Sequence, residues 1–234
     1  MNEFIDISYR SLTKIAHQGI LNGIIVSAKN YAKGELIDLG CGIKPYEAIF
    51  SKYISNYFGV DHHQTANKNY AESTKADLYV DCTNTGLKSE SYDTLLSTQV
   101  MEHIYDTDKY LDECYRLLKK NGYGIFTVPF FWQLHSEPYD YFRFTYYGLE
   151  RLFSEKKFQI VKIEPLEGAF AALIQAKIVS LYIHCKNQNL LIQYIRKIQL
   201  KFWVPILNYF AIRFDKIFYN DKLCINYLII VKKQ

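Results

Sequence analysis

The chain lacks closely spaced cysteines, a long apolar run and a basic leader. Its five cysteines stand singly, with no CxxC pair, which argues against a disulfide framework and favours reduced thiols in a cytosol. No charge-free stretch approaches the roughly 18 apolar residues of a membrane-spanning helix, and the first charged residues are acidic. We therefore expect a cytoplasmic protein that is neither secreted nor transmembrane.

A strong excess of one charge sign is also missing, because the formal net charge is only +4. A charge this small does not by itself imply a nucleic-acid partner. Between residues 169 and 222, however, basic residues outnumber acids eight to two, with large apolar residues between them. Three interpretations of this segment stay open: a lid with a solvated basic face, a homodimer surface, or peripheral contact with an anionic membrane.

The 234 residues suit one α/β domain with an appended helical element. A leading helix is predicted over 8–30, and helical patterns recur at 107–119, 146–153 and 169–220. Strands are predicted at 35–39, 56–60, 77–80, 92–97, 122–128, 157–164 and 223–231. Because strands alternate with helices, we expect a mostly parallel sheet.

A glycine-containing turn follows the first strand, in the sequence Asp38-Leu39-Gly40-Cys41-Gly42-Ile43-Lys44-Pro45-Tyr46. Gly40 and Gly42 let the backbone turn sharply and approach a ligand closely. The third glycine that a dinucleotide's pyrophosphate requires is missing, because Lys44 stands in its place. The turn therefore indicates a nucleotide-type cofactor without phosphates and disfavours a nicotinamide-dependent oxidoreductase.

Two further acids close the second and third predicted strands. Asp61 offers an acceptor pair for the two hydroxyls of a ribose, and Asp81 can accept a hydrogen bond from an adenine amine. At either position, a turn cap is the alternative role.

These motifs, in this order, resemble the class I S-adenosylmethionine-dependent methyltransferases. Asp38–Gly42 resembles the first motif of that family, Asp61 and Asp81 its strand-end acids, residues 92–103 the fourth motif, and 117–124 the turn before the fifth strand. The resemblance implies a Rossmann-like α/β fold with a seven-stranded, mostly parallel sheet and an antiparallel last strand. It also implies S-adenosyl-L-methionine as the cofactor.

The same resemblance implies one methyltransferase domain over 1–234. Its parts are an N-terminal helical flap (1–32), a cofactor-binding core (33–165), a helical insertion or lid (166–221) and a last strand (222–234). The implied cofactor contacts are Asp38, Gly40, Cys41, Gly42, Asp61, His62, Asp81, Cys82, Ser97, Thr98 and Gln99.

A narrower resemblance concerns the acceptor. The Gly-Cys-Gly-x-x-Pro-Tyr sequence and the loop 135–145 are similar to enzymes encoded with bacterial surface-polysaccharide biosynthesis. This implies transfer to an oxygen of a sugar- or phosphate-containing small molecule. The candidate acceptor contacts are Lys44, Tyr46, Tyr139 and Arg143. Arg143 has an alternative role, a structural ion pair with Glu137 or Asp140.

Transfer to a hydroxyl benefits from a base that removes its proton. His135 is the first candidate, because it follows the fifth strand, and His103, in the fourth motif, is the second. A loop histidine bonded to backbone and a histidine packed beside the cofactor are the respective alternatives.

Other function classes receive less support. No second ligand pair accompanies His62-His63, so we expect no metal. The fourth motif lacks an Asn/Asp-Pro-Pro-Tyr signature of base flipping, so we expect no nucleic-acid partner. A catalytically silent cofactor-binding subunit, acting through a partner or a membrane surface, remains the alternative to an enzyme.

Overall fold

The computed structural model describes residues 7–62, 75–186 and 189–234. Seven strands form one sheet in the order β3-β2-β1-β4-β5-β7-β6. They are β1 (Glu35–Leu39), β2 (Asn56–Asp61), β3 (Leu78–Tyr79), β4 (Tyr92–Thr98), β5 (Leu118–Pro129), β6 (Phe158–Pro165) and β7 (Asn226–Lys233). The first five strands pair in parallel, and the last strand is antiparallel. The predicted Rossmann-like fold is confirmed.

The helices begin at polar caps where the sequence supplies them. They are α1 (Lys14–Tyr31), α2 (Glu47–Phe50), α3 (Thr107–Leu117), α4 (Tyr146–Glu155), α5 (Ala169–Lys186) and α6 (Leu190–Asp215), with a 3₁₀ turn at Met101–His103. The side chains of Asp106, Thr145 and Asn189 accept backbone amide hydrogens at the starts of α3, α4 and α6. Within the described ranges, no helix is both long and apolar enough to cross a membrane.

Strands β1 and β4 form the buried centre of the sheet. Leu36, Ile37 and Leu39 of β1 are fully buried, as are Leu95 and Leu96 of β4. Apolar runs of this kind are typical of parallel strands covered on both faces. Burial of each side chain stabilises the fold by roughly 1.5–3 kcal/mol. Because β1, β2, β4 and β5 are parallel, their carboxyl ends meet at one edge, where ligands of such sheets bind.

The chain divides into two compact units. A sheet unit comprises residues 23–130, 134–164 and 227–234, and a helical unit comprises the described residues up to Asn22 together with 131–133 and 165–226. The helical unit has its own apolar cluster, which consists of Ile15, Ala16, Ala171, Ala172, Ala211 and Ile225. It also contains a cavity of about 470 Å³ that Trp132, Val179 and Ile183 help to line.

Several element boundaries differ from the sequence-based expectation. The leading helix begins at Lys14, not at residue 8, and it includes Gly19. A Cβ at Gly19 would lie 1.5 Å from Oε1 of Glu167, so close packing explains this glycine. Helix α3 ends at Leu117, because Leu118 already pairs with Tyr92 of β4.

The last strand also begins later than predicted, at Asn226. The apolar residues just before it belong to the helical unit, where Ile225 joins the apolar cluster. Apolarity alone predicted burial at these positions correctly, but it did not separate the strand from the segment leading into it.

Candidate functional site

The turn after β1 packs onto the end of β2. The amides of Gly40 and Cys41 donate to the carbonyl oxygen of Val60 at 2.8 and 3.0 Å. The amide of Gly42 donates to Oδ2 of Asp61 at 2.8 Å. Gly40 and Gly42 have φ values of +75° and +51°, which glycine adopts without strain. The two predicted glycines therefore determine the shape of the turn.

The space around the two glycines differs. A Cβ at Gly40 would lie 2.4 Å from Cγ2 of Val100, so the turn fits tightly against the segment after β4. At Gly42, no described atom lies within 4 Å of such a Cβ. Among the described residues, a side chain at position 42 would therefore meet no neighbour.

Asp38 lies beside this turn, at the end of β1, and is only 1% exposed. Its Oδ2 accepts a hydrogen bond of 2.5 Å from the hydroxyl of Tyr57, whereas its Oδ1 accepts none from the described residues. Burial raises the pKa of Asp38 to about 7, although the Tyr57 hydroxyl lowers it. A buried acceptor with an open lone pair suits a cationic or N–H group of a ligand.

Asp61 is the last residue of β2, and both of its carboxylate oxygens accept hydrogen bonds from backbone amides. Oδ2 accepts from the amide of Gly42 at 2.8 Å, and Oδ1 accepts from the amide of His62 at 2.7 Å. Each oxygen retains a second lone pair, so the carboxylate can still accept from two hydroxyls. His62 lies beside this carboxylate, and His63 falls outside the described residues.

Asp81 adopts the turn-cap arrangement. Its Oδ1 accepts from the amide and the hydroxyl of Thr83, both at 2.8 Å. The next residue, Cys82, is 7% exposed, and its sulfur lies at the backbone amide of Gly40. Cys82 therefore borders the glycine turn. A contact between Asp81 and adenine stays a prediction.

The three residues predicted beside the sulfonium differ in surroundings. Ser97 is buried, and its Oγ accepts a hydrogen bond of 2.6 Å from the Tyr110 hydroxyl. Thr98 is hydrogen-bonded to the side chain of Tyr46. Gln99 has a φ of +56°, and its amide nitrogen Nε2 donates to Oγ1 of Thr127. Thr98 and Gln99 are half-buried at the strand end, whereas Ser97 is fixed in the core.

Lys44 and Tyr46 are held within the loop. The Lys44 side chain is 7% exposed, and its Nζ lies 2.5 Å from Oδ2 of Asp77. That carboxylate oxygen also accepts from the amide of Gly59 at 2.7 Å. Tyr46 is buried, and burial raises the pKa of its phenol. The predicted contacts of both residues with an acceptor stay predictions.

Three side chains from segments after β4 and β5 converge, and we call them the histidine–glutamate cluster: Glu102, His103 and His135. Nε2 of His103 lies 3.8 Å from Oε1 of Glu102, and Nε2 of His135 lies 3.9 Å from the same oxygen. The two imidazole centroids are 4.7 Å apart. The Glu102 side chain is fully buried, whereas 24% and 28% of the two histidine side chains are exposed. Both candidate bases therefore share one site with a carboxylate.

Both imidazoles of the cluster are oriented through Nδ1. Nδ1 of His103 lies 2.6 Å from the carbonyl oxygen of Tyr139. Nδ1 of His135 lies 3.3 Å from Oδ2 of Asp140 and 3.4 Å from Nη2 of Arg143. The amides of Tyr141 and Phe142 also donate to the carbonyl oxygen of Glu102. The aromatic loop after β5 is thereby tied to the 3₁₀ turn after β4.

Arg143 forms one of its two predicted partnerships. Its Nη1 and Nη2 donate to Oδ1 and Oδ2 of Asp140 at 2.6 and 2.7 Å. This bidentate pair lowers the pKa of Asp140 to about 2. The structural ion pair with Asp140 is therefore present, and a contact of Arg143 with an acceptor stays a prediction.

Burial dominates the electrostatics of the cluster. It raises the pKa of Glu102 to about 8, and neither carboxylate oxygen accepts a hydrogen bond from another described residue. Burial also lowers the pKa of His103, which makes this imidazole neutral at pH 7. With its Nδ1–H donated to Tyr139, His103 presents the lone pair of Nε2 to the cluster.

Sequence reasoning missed Glu102 and Tyr57 as members of the site, and it named Asp140 only as a partner of Arg143 and not of His135. Glu102 adjoins His103, and Asp140 lies five residues after His135. A carboxylate near a histidine in two segments that both follow sheet strands was the available signal. Tyr57 lies within β2 and gave no signal, because its contact with Asp38 arises only from strand pairing.

Comparisons with known sequences find similarity in the central part of the chain. Residues 37–126 match the family model described as a methyltransferase domain. The ubiquinone biosynthesis O-methyltransferase of Rhodopseudomonas palustris (strain BisA53) is 30% identical over 103 residues. That alignment covers 41% of this chain and 40% of the relative, so the chain spans less than half the length of this curated protein.

Solved structures extend the likeness to nearly the whole chain. A SAM-dependent methyltransferase from Archaeoglobus fulgidus has a TM-score of 0.56 at 17% identity, covering 94% of this chain and 97% of that one. The [4+2]-cyclase SpnF has a TM-score of 0.58 at 13% identity, covering 94% and 82%. These likenesses show the fold, and a shared fold can carry different chemistries.

Proposed function

We propose that this chain is an S-adenosylmethionine-dependent methyltransferase that transfers a methyl group to an oxygen of a small-molecule acceptor. The observation that carries the proposal is the end of β1, where the buried Oδ1 of Asp38 has no hydrogen-bond partner among the described residues and the glycine turn of Gly40 and Gly42 follows. The methyltransferase-domain match over 37–126 and the O-methyltransferase relative support it.

The residues at this edge suit the proposed cofactor by charge. Its methionine portion carries an ammonium and a carboxylate, and the molecule contains no phosphate. Oδ1 of Asp38 can accept from the ammonium, and the remaining lone pairs of Asp61 can accept from ribose hydroxyls. A dinucleotide would bring phosphates close to both carboxylates, while the Lys44 ammonium is already paired with Asp77.

When bound, S-adenosylmethionine supplies an electrophilic methyl group on a sulfonium. The chain's own residues then hold the acceptor in line, exclude water and take the proton from the acceptor hydroxyl. We assign the last task to the histidine–glutamate cluster. His135, which faces Asp140, is the first candidate base, and His103 is the second.

We infer the chemical class of the acceptor from two similarities to other proteins. The resemblance of the loop 135–145 favours a sugar or a surface-polysaccharide precursor, whereas the curated relative is named for ubiquinone biosynthesis. Both are consistent with an oxygen acceptor. A search for the acceptor should therefore include nucleotide-linked sugars and hydroxylated aromatic compounds.

A catalytically silent cofactor-binding subunit is the second candidate. Helix α6 favours it, because this helix has no acid before Asp215 and exposes large apolar side chains. Leu190, Leu191 and Phe202 are 83%, 71% and 63% exposed. An apolar, cationic face suits a protein partner or an anionic membrane surface. Turnover of the methyl donor by the purified chain would exclude the silent role.

Isothermal titration with S-adenosylhomocysteine tests the cofactor assignment. We expect one site per chain, and we expect Asp38→Asn to weaken binding at least tenfold, because asparagine keeps an acceptor for Tyr57 but removes the negative charge. Asp106→Asn, at the partly exposed start of α3, is the matched control and should bind normally. Absence of binding by the intact chain would reject the proposed function.

A further inference from the structure

The histidine–glutamate cluster has a property that a general base does not require. One ligand atom from each of its three side chains lies within 4.8 Å of the other two. A single base needs one open lone pair. Here two imidazole nitrogens face the same buried carboxylate oxygen.

Oxygen acceptors lie beside Nδ1 of both histidines of the cluster, as they do in metal-binding histidines. Such residues usually give the proton of their other ring nitrogen to a carbonyl or a carboxylate, which fixes the tautomer and the ring orientation. His103 has the carbonyl oxygen of Tyr139 at 2.6 Å from Nδ1, and His135 has the carboxylate of Asp140 at 3.3 Å. His103, which donates its Nδ1 proton to Tyr139, directs the lone pair of Nε2 at Glu102. Nδ1 of His135 faces both Asp140 and the guanidinium of Arg143, so the proton of this imidazole must lie on the Asp140 side for its Nε2 to bind an ion.

Glu102 supplies the observation that points to a cation. Its side chain is fully buried, and neither carboxylate oxygen accepts a hydrogen bond from another described residue. Buried polar groups without partners are uncommon in folded proteins. The guanidinium of Arg143, whose charge lowers the pKa of Glu102, donates two hydrogen bonds to Asp140 instead. Among the described residues, the two imidazoles at 3.8 and 3.9 Å are therefore the groups that face this carboxylate as ion-pair partners.

The donor separations are close to those of a bound ion. Metal bonds of about 2.1 Å at tetrahedral or octahedral angles place neighbouring donors roughly 3.0–3.4 Å apart. The two nitrogen-to-oxygen distances are 3.8 and 3.9 Å and all three donors lie within 4.8 Å, so the side chains must close in by about 0.5–1.5 Å to bind one ion. Both histidine side chains are partly exposed, so the ion and the acceptor can reach the site from solvent.

We propose that Glu102, His103 and His135 form a binding site for a divalent transition-metal ion. Two imidazoles and one carboxylate suit zinc, iron, cobalt, nickel or manganese, whereas magnesium and calcium prefer all-oxygen ligands. Three protein ligands leave at least one coordination position open. This assignment departs from the sequence-based expectation of no metal, which considered only His62-His63.

The site also defines the substrate class more narrowly, and this part rests on the proposed function. A hydroxyl oxygen in the open position would be acidified by the ion, so that it loses its proton to solvent near neutral pH. His135 would then act as a metal ligand instead of a base. The acceptor would be an alcohol or phenol whose reacting oxygen can reach a metal ion.

Cobalt(II) binding to the purified chain, without cofactor or acceptor, tests the metal site. We expect one ion per chain, with a visible absorption band from nitrogen and oxygen ligands. His103→Gln and His135→Gln should each weaken binding at least tenfold, while His17→Gln, on α1, should bind as the parent does. Circular dichroism of each variant verifies folding. No cobalt binding by the parent chain, or equal binding by all variants, would overturn the proposal.

The two proposals fail separately in these measurements. Binding of S-adenosylhomocysteine without binding of cobalt would reject the metal site and leave the methyltransferase proposal intact. Binding of cobalt without binding of S-adenosylhomocysteine would reject the methyltransferase proposal and leave the metal site intact. Methyl transfer that persists at full rate after removal of all metal by a chelator would reject the role of the ion in activating the acceptor.

Discussion

Asp38 is the residue at which ligand binding and stability oppose one another. The fold buries its carboxyl group almost completely and gives one oxygen to Tyr57. The second oxygen has no partner among the described residues, which is unfavourable for the free protein and useful for a cationic ligand. The same reasoning applies to Glu102, whose buried carboxylate faces two imidazoles.

We expect the stability of the free protein to fall as pH rises from about 4 to above 7. Burial raises the pKa of Asp38 to about 7, so in this window the folded state binds a proton that the unfolded chain has lost. The cost reaches roughly 2–4 kcal/mol once Asp38 is ionised. Urea unfolding at pH 5 and pH 8 measures it.

Asp38→Asn should reduce this pH dependence, because asparagine does not titrate. Other buried acids, including Glu167, contribute to the slope in both proteins, so the difference between the two slopes is the relevant quantity. Equal slopes for the parent and the variant would contradict the assignment of a raised pKa to Asp38.

Individual residues also show where sequence reasoning reaches its limit. Asp38 and Asp61 were predictable, because each closes an apolar strand. The contact of Asp38 with Tyr57 was not, since it depends on the pairing of β1 with β2. Arg143 had two possible roles in the sequence, and only the folded loop shows it paired with Asp140.

Among the elements, the turn after β1 links the sheet to the site. Gly40 packs against Val100, which lies two residues before Glu102. Gly42 faces space that no described atom fills. The two glycines both have positive φ values but different surroundings. Substitutions at them therefore distinguish effects on stability from effects on ligand affinity.

We expect Gly40→Ala to destabilise the chain by about 2 kcal/mol or more, because it adds a contact of 2.4 Å with Val100 to the strain of a positive φ. Gly42→Ala should cost only about 1–2 kcal/mol, from backbone strain alone. Its larger effect should be on S-adenosylhomocysteine, whose affinity we expect to fall at least tenfold. Thermal unfolding and isothermal titration of both variants measure these effects. Unchanged affinity of Gly42→Ala would show that the cofactor does not occupy this space.

Element types were predictable where the hydrophobic pattern was strong, as in β1, β4 and α3. The residues at which helices and strands begin and end were less predictable, because tertiary packing determines them. Gly19 lies inside α1 since the Glu167 carboxyl occupies the space of a side chain. Residue 225 belongs to the helical unit's apolar cluster even though it directly precedes β7.

At the scale of the whole molecule, the seven-stranded, mostly parallel sheet and its strand-end acids were predictable as a set, because several motifs occurred in order along the chain. The histidine–glutamate cluster was predictable only in part. His103 and His135 were named separately, yet their convergence on Glu102 depends on how the loop after β5 folds back to the turn after β4. The basic segment 169–222 contains helices α5 and α6 and part of the connection to β7. A binding partner for this segment stays a prediction.

Methyl transfer from S-adenosylmethionine carrying a deuterated methyl group is the most direct test of the central claim. The purified chain should be incubated with nucleotide-linked sugars and hydroxylated aromatic compounds, and the products analysed by mass spectrometry. We predict a product that has gained one labelled methyl group on oxygen, and we predict that Asp38→Asn greatly reduces its rate of formation. Binding of S-adenosylhomocysteine with no labelled product from any acceptor would contradict the account and favour a catalytically silent subunit.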